Sequence, residues 1–258
     1  MILFRHLVIP RVKLCRQGSF PYSCLAGTRT LELKDSGRSL KKKLFDLLNQ
    51  GDLEKALVEI GRLPPRQIIN PLLSFLQSGN EKLKWGAVKA MGVVVSQLAD
   101  RDLEAARVIM RRLMWSLNDE SGGIGWGSPE AMGEILATHR GLAHEYAHIL
   151  LSYAREDGNY LEHEGLQRGL LWGIGRLSEK RPELVRGATA SLLPYLASQD
   201  GAIRGLSARI MGLLQIKEAQ LELRKLTGDE SELFILLENN LTVLRVKDLA
   251  EEALRSIG

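Results

Sequence analysis

The 258-residue chain is 45% apolar, 26% charged and 5% aromatic, with a formal net charge of +4. That length and apolar fraction suffice to bury a core, which excludes a disordered chain and a disulfide-stapled mini-protein. Apolar runs such as 92–98 fall far short of the roughly 18 to 20 residues that a membrane-spanning helix needs. Two cysteines, Cys15 and Cys24, are too few for a disulfide framework or a four-thiolate zinc site and fit a reducing compartment.

The charge is unevenly placed. Residues 1–36 carry Arg5, Arg11, Lys13, Arg16, Arg29 and Lys34 against Glu32 and Asp35, so the remaining residues hold 29 basic and 29 acidic side chains. A neutral body argues against a nucleic-acid reader, which concentrates basic charge on its binding face. The basic, acid-poor start is broken by Arg5, His6 and Pro10 and is followed by no signal-peptidase-like site. It is expected to be a flexible arm or a non-native start.

From Ser36 onward the helical period dominates: Leu40, Leu44, Leu47 and Leu48 share one face, and Leu53, Ala56, Leu57 and Ile60 share the next. Four segments then repeat one another: WGAVKAMG at 85–92, WGSPEAMG at 126–133, RGLLWGIG at 168–175 and GLSARIMG at 205–212. Their last glycines, Gly92, Gly133, Gly175 and Gly212, are 41, 42 and 37 residues apart, and Gly61 adds a shorter first unit. Glycine inside a helix costs about 1 kcal/mol relative to alanine, so its recurrence at one register needs a packing reason. Without a side chain at that point, the helix of one unit approaches its neighbour, and five stacked helix pairs build one continuous core.

The loop 118–129 interrupts the repeat with Asp119, Glu120, Gly122, Gly123, Gly125 and Gly127 around Trp126. Ser128 and Pro129 are a good N-cap and first-turn pair for the helix that contains Glu130. Trp126 is expected to plug the core as Trp85 does one unit earlier. The rival reading makes Asp119, Glu120, Gly123, Gly125, Trp126 and Glu130 a contact for a peptide or small ligand. Trp115 and Trp172 fall at helical spacing and are expected in the core.

His144-Glu145-Tyr146-Ala147-His148 is a literal H-E-x-x-H, which on a helix puts two histidines on one face beside a glutamate. Leu151 and Ala154 occupy the positions where metzincins carry glycine and the third histidine. His163-Glu164 adds a second His-Glu pair. With helices over about 141–155 and 160–178, His144 lies roughly 12 Å from His163 along the axis; only His148 with His163 remains close enough to share a metal. A polar, partly exposed helix surface is the expected reading.

Near the C-terminus, 232–238 and 241–246 read as strands around an Asn239-Asn240 turn. Residues 247–257 read as an amphipathic helix with Leu249, Ala250, Leu254 and Ile257 inward, and hairpin and helix together are expected to cap the stack.

The pattern of the repeats, seen best in IRGLSARIMGLL at 203–214, resembles HEAT-like repeats of the phycobilin-lyase type. The Gly-Gly-Ile-Gly-Trp-Gly loop is similar to that of uncharacterised bacterial HEAT-repeat proteins. The resemblance implies an all-α, right-handed α-solenoid over 37–228, followed by the hairpin and capping helix over 229–258, and leaves activity open. The expected function is a non-catalytic, cytoplasmic protein-interaction scaffold with a protein partner, no cofactor and no membrane association. The His-Glu pairs are also similar to those of deoxyhypusine hydroxylase, which has four of them. A metal-dependent hydroxylase or hydrolase using His144, Glu145, His148 and His163 is therefore the alternative, and nucleic-acid binding is the second.

Overall fold

A computed structural model describes residues 37–118 and 125–258. The expected basic arm, 1–36, lies outside them. The described chain is an α-solenoid of helix pairs: α1 (Gly37–Asn49), α2 (Leu53–Gly61), α3 (Pro65–Leu76), α4 (Glu81–Ala99), α5 (Leu103–Leu117), α6 (Ser128–Thr138), α7 (Arg140–Ser152) and α8 (Glu164–Lys180). A broken outer segment follows, with α9 (Pro182–Val185) and α10 (Thr189–Leu192) joined by 3-10 turns. Then come α11 (Gly201–Leu214), α12 (Gln220–Leu226), β1 (Glu232–Leu237), β2 (Asn240–Arg245) and α13 (Val246–Ile257).

The second helix of each pair forms one layer in which neighbours touch directly, in the order α2, α4, α6, α8, α11, α13. Their partners α1, α3, α5, α7, the 182–197 segment and α12 form the other layer, packed mainly against the first. The tight layer is therefore the inside of the curve. Short polar side chains start several helices, each taking a first-turn amide: Asp52 from Lys55 at 3.0 Å, Asn80 from Leu83 at 3.1 Å and Asp102 from Ala105 at 3.0 Å.

The repeated glycines sit between inner helices, as the repeat requires. A Cβ on Gly133 would overlap the backbone of Gly173, and one on Gly212 would come within 2.7 Å of Ala253 Cα. In α8 the tight contact is made by Gly173, two positions before the glycine picked out by the repeat; a Cβ on Gly175 would meet only Arg209 and Ile210 at ordinary distances. Ala253 lies 41 residues beyond Gly212, which makes α12 and α13 a sixth unit.

The hairpin occupies a different place from a simple end cap. Inserted between the two helices of the last unit, it lies on the inner face. Leu233 packs where a Gly205 Cβ would point, Trp172 Nε1 donates to the Leu236 carbonyl at 3.0 Å, and the tip shares a hollow with Leu48, Leu53 and Trp85. The turn is Glu238-Asn239, one residue earlier than expected, with φ of 47° and 69°. This register pairs Leu237 with Asn240 and puts Leu233, Ile235 and Leu237 on the face turned to the helices; a slip of one residue would reverse the two faces. In α13 the buried positions are Val246, Leu249, Ala250, Ala253 and Ile257, and Leu254 is half-buried.

Candidate functional site

The inner helices run parallel, so their first turns gather at one end. There the start of α4, the first turns of α6, α8 and α11, and the first half of β1 enclose a groove of about 590 Å³. Three tryptophans stand along it. Trp85 and Trp172 are buried with ring centroids 4.7 Å apart, and the Trp85 indole N–H has no acceptor among the described residues. Trp126 is 36% exposed and meets the His163 ring edge-on at 5.0 Å. It lies over Gly165, where a Cβ would come within 2.6 Å of Trp126 Cζ3. Phe234, on β1, exposes about half its surface (49%) on the opposite wall.

Six charged residues line the groove: Glu81, Glu130, Asp200 and Glu232 against Lys84 and Arg168. Both cations are engaged inside it. Lys84 Nζ lies 2.9 Å from Glu130 Oε1 and 5.2 Å from the Trp85 ring, and Arg168 pairs with Asp200. Burial pushes the Asp200 carboxyl up, but Arg168 and the Ile203 and Ala202 amides outweigh it and hold it below its ordinary value. The helix starts offer little to an anion. Asn80, His163 and Asp200 already accept from the amides of Leu83, Gly165 and Ile203 at 3.1, 3.0 and 3.0 Å. Glu81 and Glu232, both exposed, form no ion pair among the described residues and leave the rim acidic.

On the other side of the hairpin a row of ion pairs crosses the same face. Lys89 of α4 meets Glu134 of α6, Arg176 of α8 reaches the same carboxylate at 2.7 Å, and Glu179 links Arg176 to Arg209 of α11. Glu134 is 3% exposed, so it is a charge held in the core by two cations.

Among the loop residues picked out from sequence, Asp119, Glu120 and Gly123 lie outside the described residues. Gly125 is buried against α5, where a Cβ would come within 2.7 Å of the Ser116 carbonyl, and does not line the groove. Trp126 and Glu130 do line it, together. Trp126 is thus a groove wall and not a core plug, because the left-handed Gly127 (φ 75°) that caps α6 turns the chain just before the helix. Ser128 bonds Ser116 at 2.8 Å in place of capping. Trp115 also departs from expectation: it is 76% exposed on the outer layer.

The His-Glu residues are dispersed into other contacts. His144 and His148 are exposed on α7. Glu145 accepts two bonds from Arg107, at 2.8 and 2.7 Å, and that guanidinium holds its carboxyl below the usual range. His163 caps α8 through Nδ1. No group of three or more His, Cys, Asp or Glu side chains gathers to hold a metal ion among the described residues. Sequence reading missed the contribution of β1, Lys84, Arg168 and Asp200. The available signal was the alternation of Leu233, Phe234 and Ile235, together with charged residues preceding each repeated segment.

No protein-family profile matches the chain, and no curated protein matches it. Solved structures do resemble it. A chain from the structure of Kap95p with RanGDP has a TM-score of 0.54 at 12% identity over 86% of this chain, which spans 28% of that one. An engineered protein gives 0.49 at 17% identity, covering 84% of this chain and 96% of its own. A designed armadillo repeat protein in complex with peptide (KR)4 gives 0.48 at 18%, covering 85% and 99%. The fold is an α-solenoid of the armadillo/HEAT repeat type. No helix among the described residues is long and apolar enough to cross a membrane.

Proposed function

We propose that the chain is a protein-binding scaffold whose inner-face groove receives an extended, basic segment of a partner protein. The observation that carries this reading is the pairing of exposed aromatic walls, Trp126 and Phe234, with the rim carboxylates Glu81 and Glu232, while the groove's own cations are already paired. A lysine or arginine of the partner gains both a carboxylate and a ring face there, and an anion gains neither. The size of the groove suits a few residues of extended chain. The scaffold reading agrees with the HEAT-like repeats seen in the sequence, whose phycobilin-lyase-type likeness adds no particular activity.

Selection from a random octapeptide library tests the reading. Enrichment of Lys and Arg is expected, together with a roughly tenfold loss of affinity in Trp126→Ala, a loss typical of an exposed aromatic anchor. Enrichment of acidic peptides, or full affinity in Trp126→Ala, refutes it.

A further inference from the structure

The strand that walls the groove has an open edge. Its two-residue turn, with positive φ at both positions, makes Leu237 and Asn240 a hydrogen-bonded pair, and the Val246 N–H donates to the Ser231 carbonyl at the other end. Leu233, Ile235 and Leu237 therefore turn their backbone groups toward β2, as Ser231 does its carbonyl, its N–H donating to Asp229 Oδ1 at 3.0 Å. Glu232, Phe234 and Leu236 turn theirs the opposite way, and the Leu236 carbonyl is taken by Trp172. The backbone N–H and C=O of Glu232 and Phe234 have no hydrogen-bond partner among the described residues, and both residues line the groove.

We propose that the partner segment binds by strand addition: it pairs with the outer edge of β1 at Glu232 and Phe234, forming up to four backbone hydrogen bonds. This rests on the groove being the binding face and specifies how the occupant is held. Backbone pairing supplies affinity that is independent of sequence, and alternate side chains supply specificity. One set of the occupant's side chains points down toward Trp126 and Gly165, and the other lies beside Glu81 and Glu232 at the rim. An occupant of this kind is extended and basic, and carries no proline where its N–H meets β1.

The test uses the full chain and a labelled octapeptide of alternating Arg and Val. Two further peptides carry N-methyl groups on the odd or on the even amides. Strand addition engages amides of one parity, so one methylated isomer is expected to bind at least tenfold more weakly than the other. Equal affinities for the two, or loss of both, overturn strand addition while leaving the groove reading intact if the parent peptide binds. No binding of the parent peptide overturns the groove reading itself and this inference with it. A second measurement uses Phe234→Pro against Phe234→Ala. The proline removes an N–H that lies outside the β1–β2 ladder, so circular dichroism should remain that of the wild type. Proline is expected to weaken binding at least fivefold more than alanine does; equal effects mean that only the ring matters and contradict the proposal.

Discussion

Two glycine contacts made by α6 serve opposite purposes. Toward α8, Gly133 lies on Gly173 backbone to backbone, and nothing else fits between them. Toward α4, a Cβ on Gly92 would meet Glu134 Cγ at 2.7 Å and Thr138 Oγ1 at 3.0 Å, so the missing side chain makes room for a buried carboxylate. At Gly133 the contact is closed by main chain; at Gly92 it opens for the carboxylate that Lys89 of α4 and Arg176 of α8 share. A repeat that looks uniform in sequence therefore contains joints of different chemistry, and substitution should separate them.

Glu134→Ala removes the centre of the ion-pair row and should have the largest effect. It leaves Lys89 and Arg176 without the carboxylate they share, and loss of about 3–5 kcal/mol is expected in chemical denaturation. At the main-chain contact, Gly133→Ala sets a methyl group against the backbone of Gly173. Despite the better helix propensity of alanine, a loss of about 2–3 kcal/mol is expected. Gly175→Ala provides the contrast. Its nearest neighbour is the flexible end of Arg209, 3.4 Å from the new Cβ, so stability should rise by up to about 1 kcal/mol. If the two alanine variants behave alike, the distinction between the glycines is wrong.

The smallest expected effect is that of pH. Asp200 and Asp229 are both held below the ordinary value of 3.8; burial raises each, and hydrogen bonds and the Arg168 and Arg204 guanidinium groups outweigh it. Their contribution to stability is thus fully present above the unfolded value and is lost as pH falls through the lower folded-state values. The denaturation midpoint should change little from these groups between about pH 7 and 5 and drop below about pH 4, less steeply in Asp200→Asn.

The solenoid was legible because its cause is local and periodic: apolar faces at helical spacing and a glycine about every forty residues. The exchange of Gly175 for Gly173 at the tight contact was not, since two small residues in successive half-turns look alike until the neighbouring helix is placed. The hairpin was visible in its alternation, but its seat on the inner face was not. That seat depends on Trp172 reaching Leu236, 64 positions away. The groove shares this property. Arg168 and Asp200 are 32 positions apart, and Lys84 and Glu130 belong to different repeats. The loop drew attention to Trp126 and Glu130 for its glycines, whereas what brings them into one wall is the packing of α6 between α4 and α8.

Hydrogen–deuterium exchange of the full chain, with and without saturating Arg-Val octapeptide, tests the inner-face groove most directly. Slower exchange is expected at 76–85, 165–172 and 231–235, segments that line it. Protection confined to the outer helices α5 and α7, with those three segments unchanged, would contradict it.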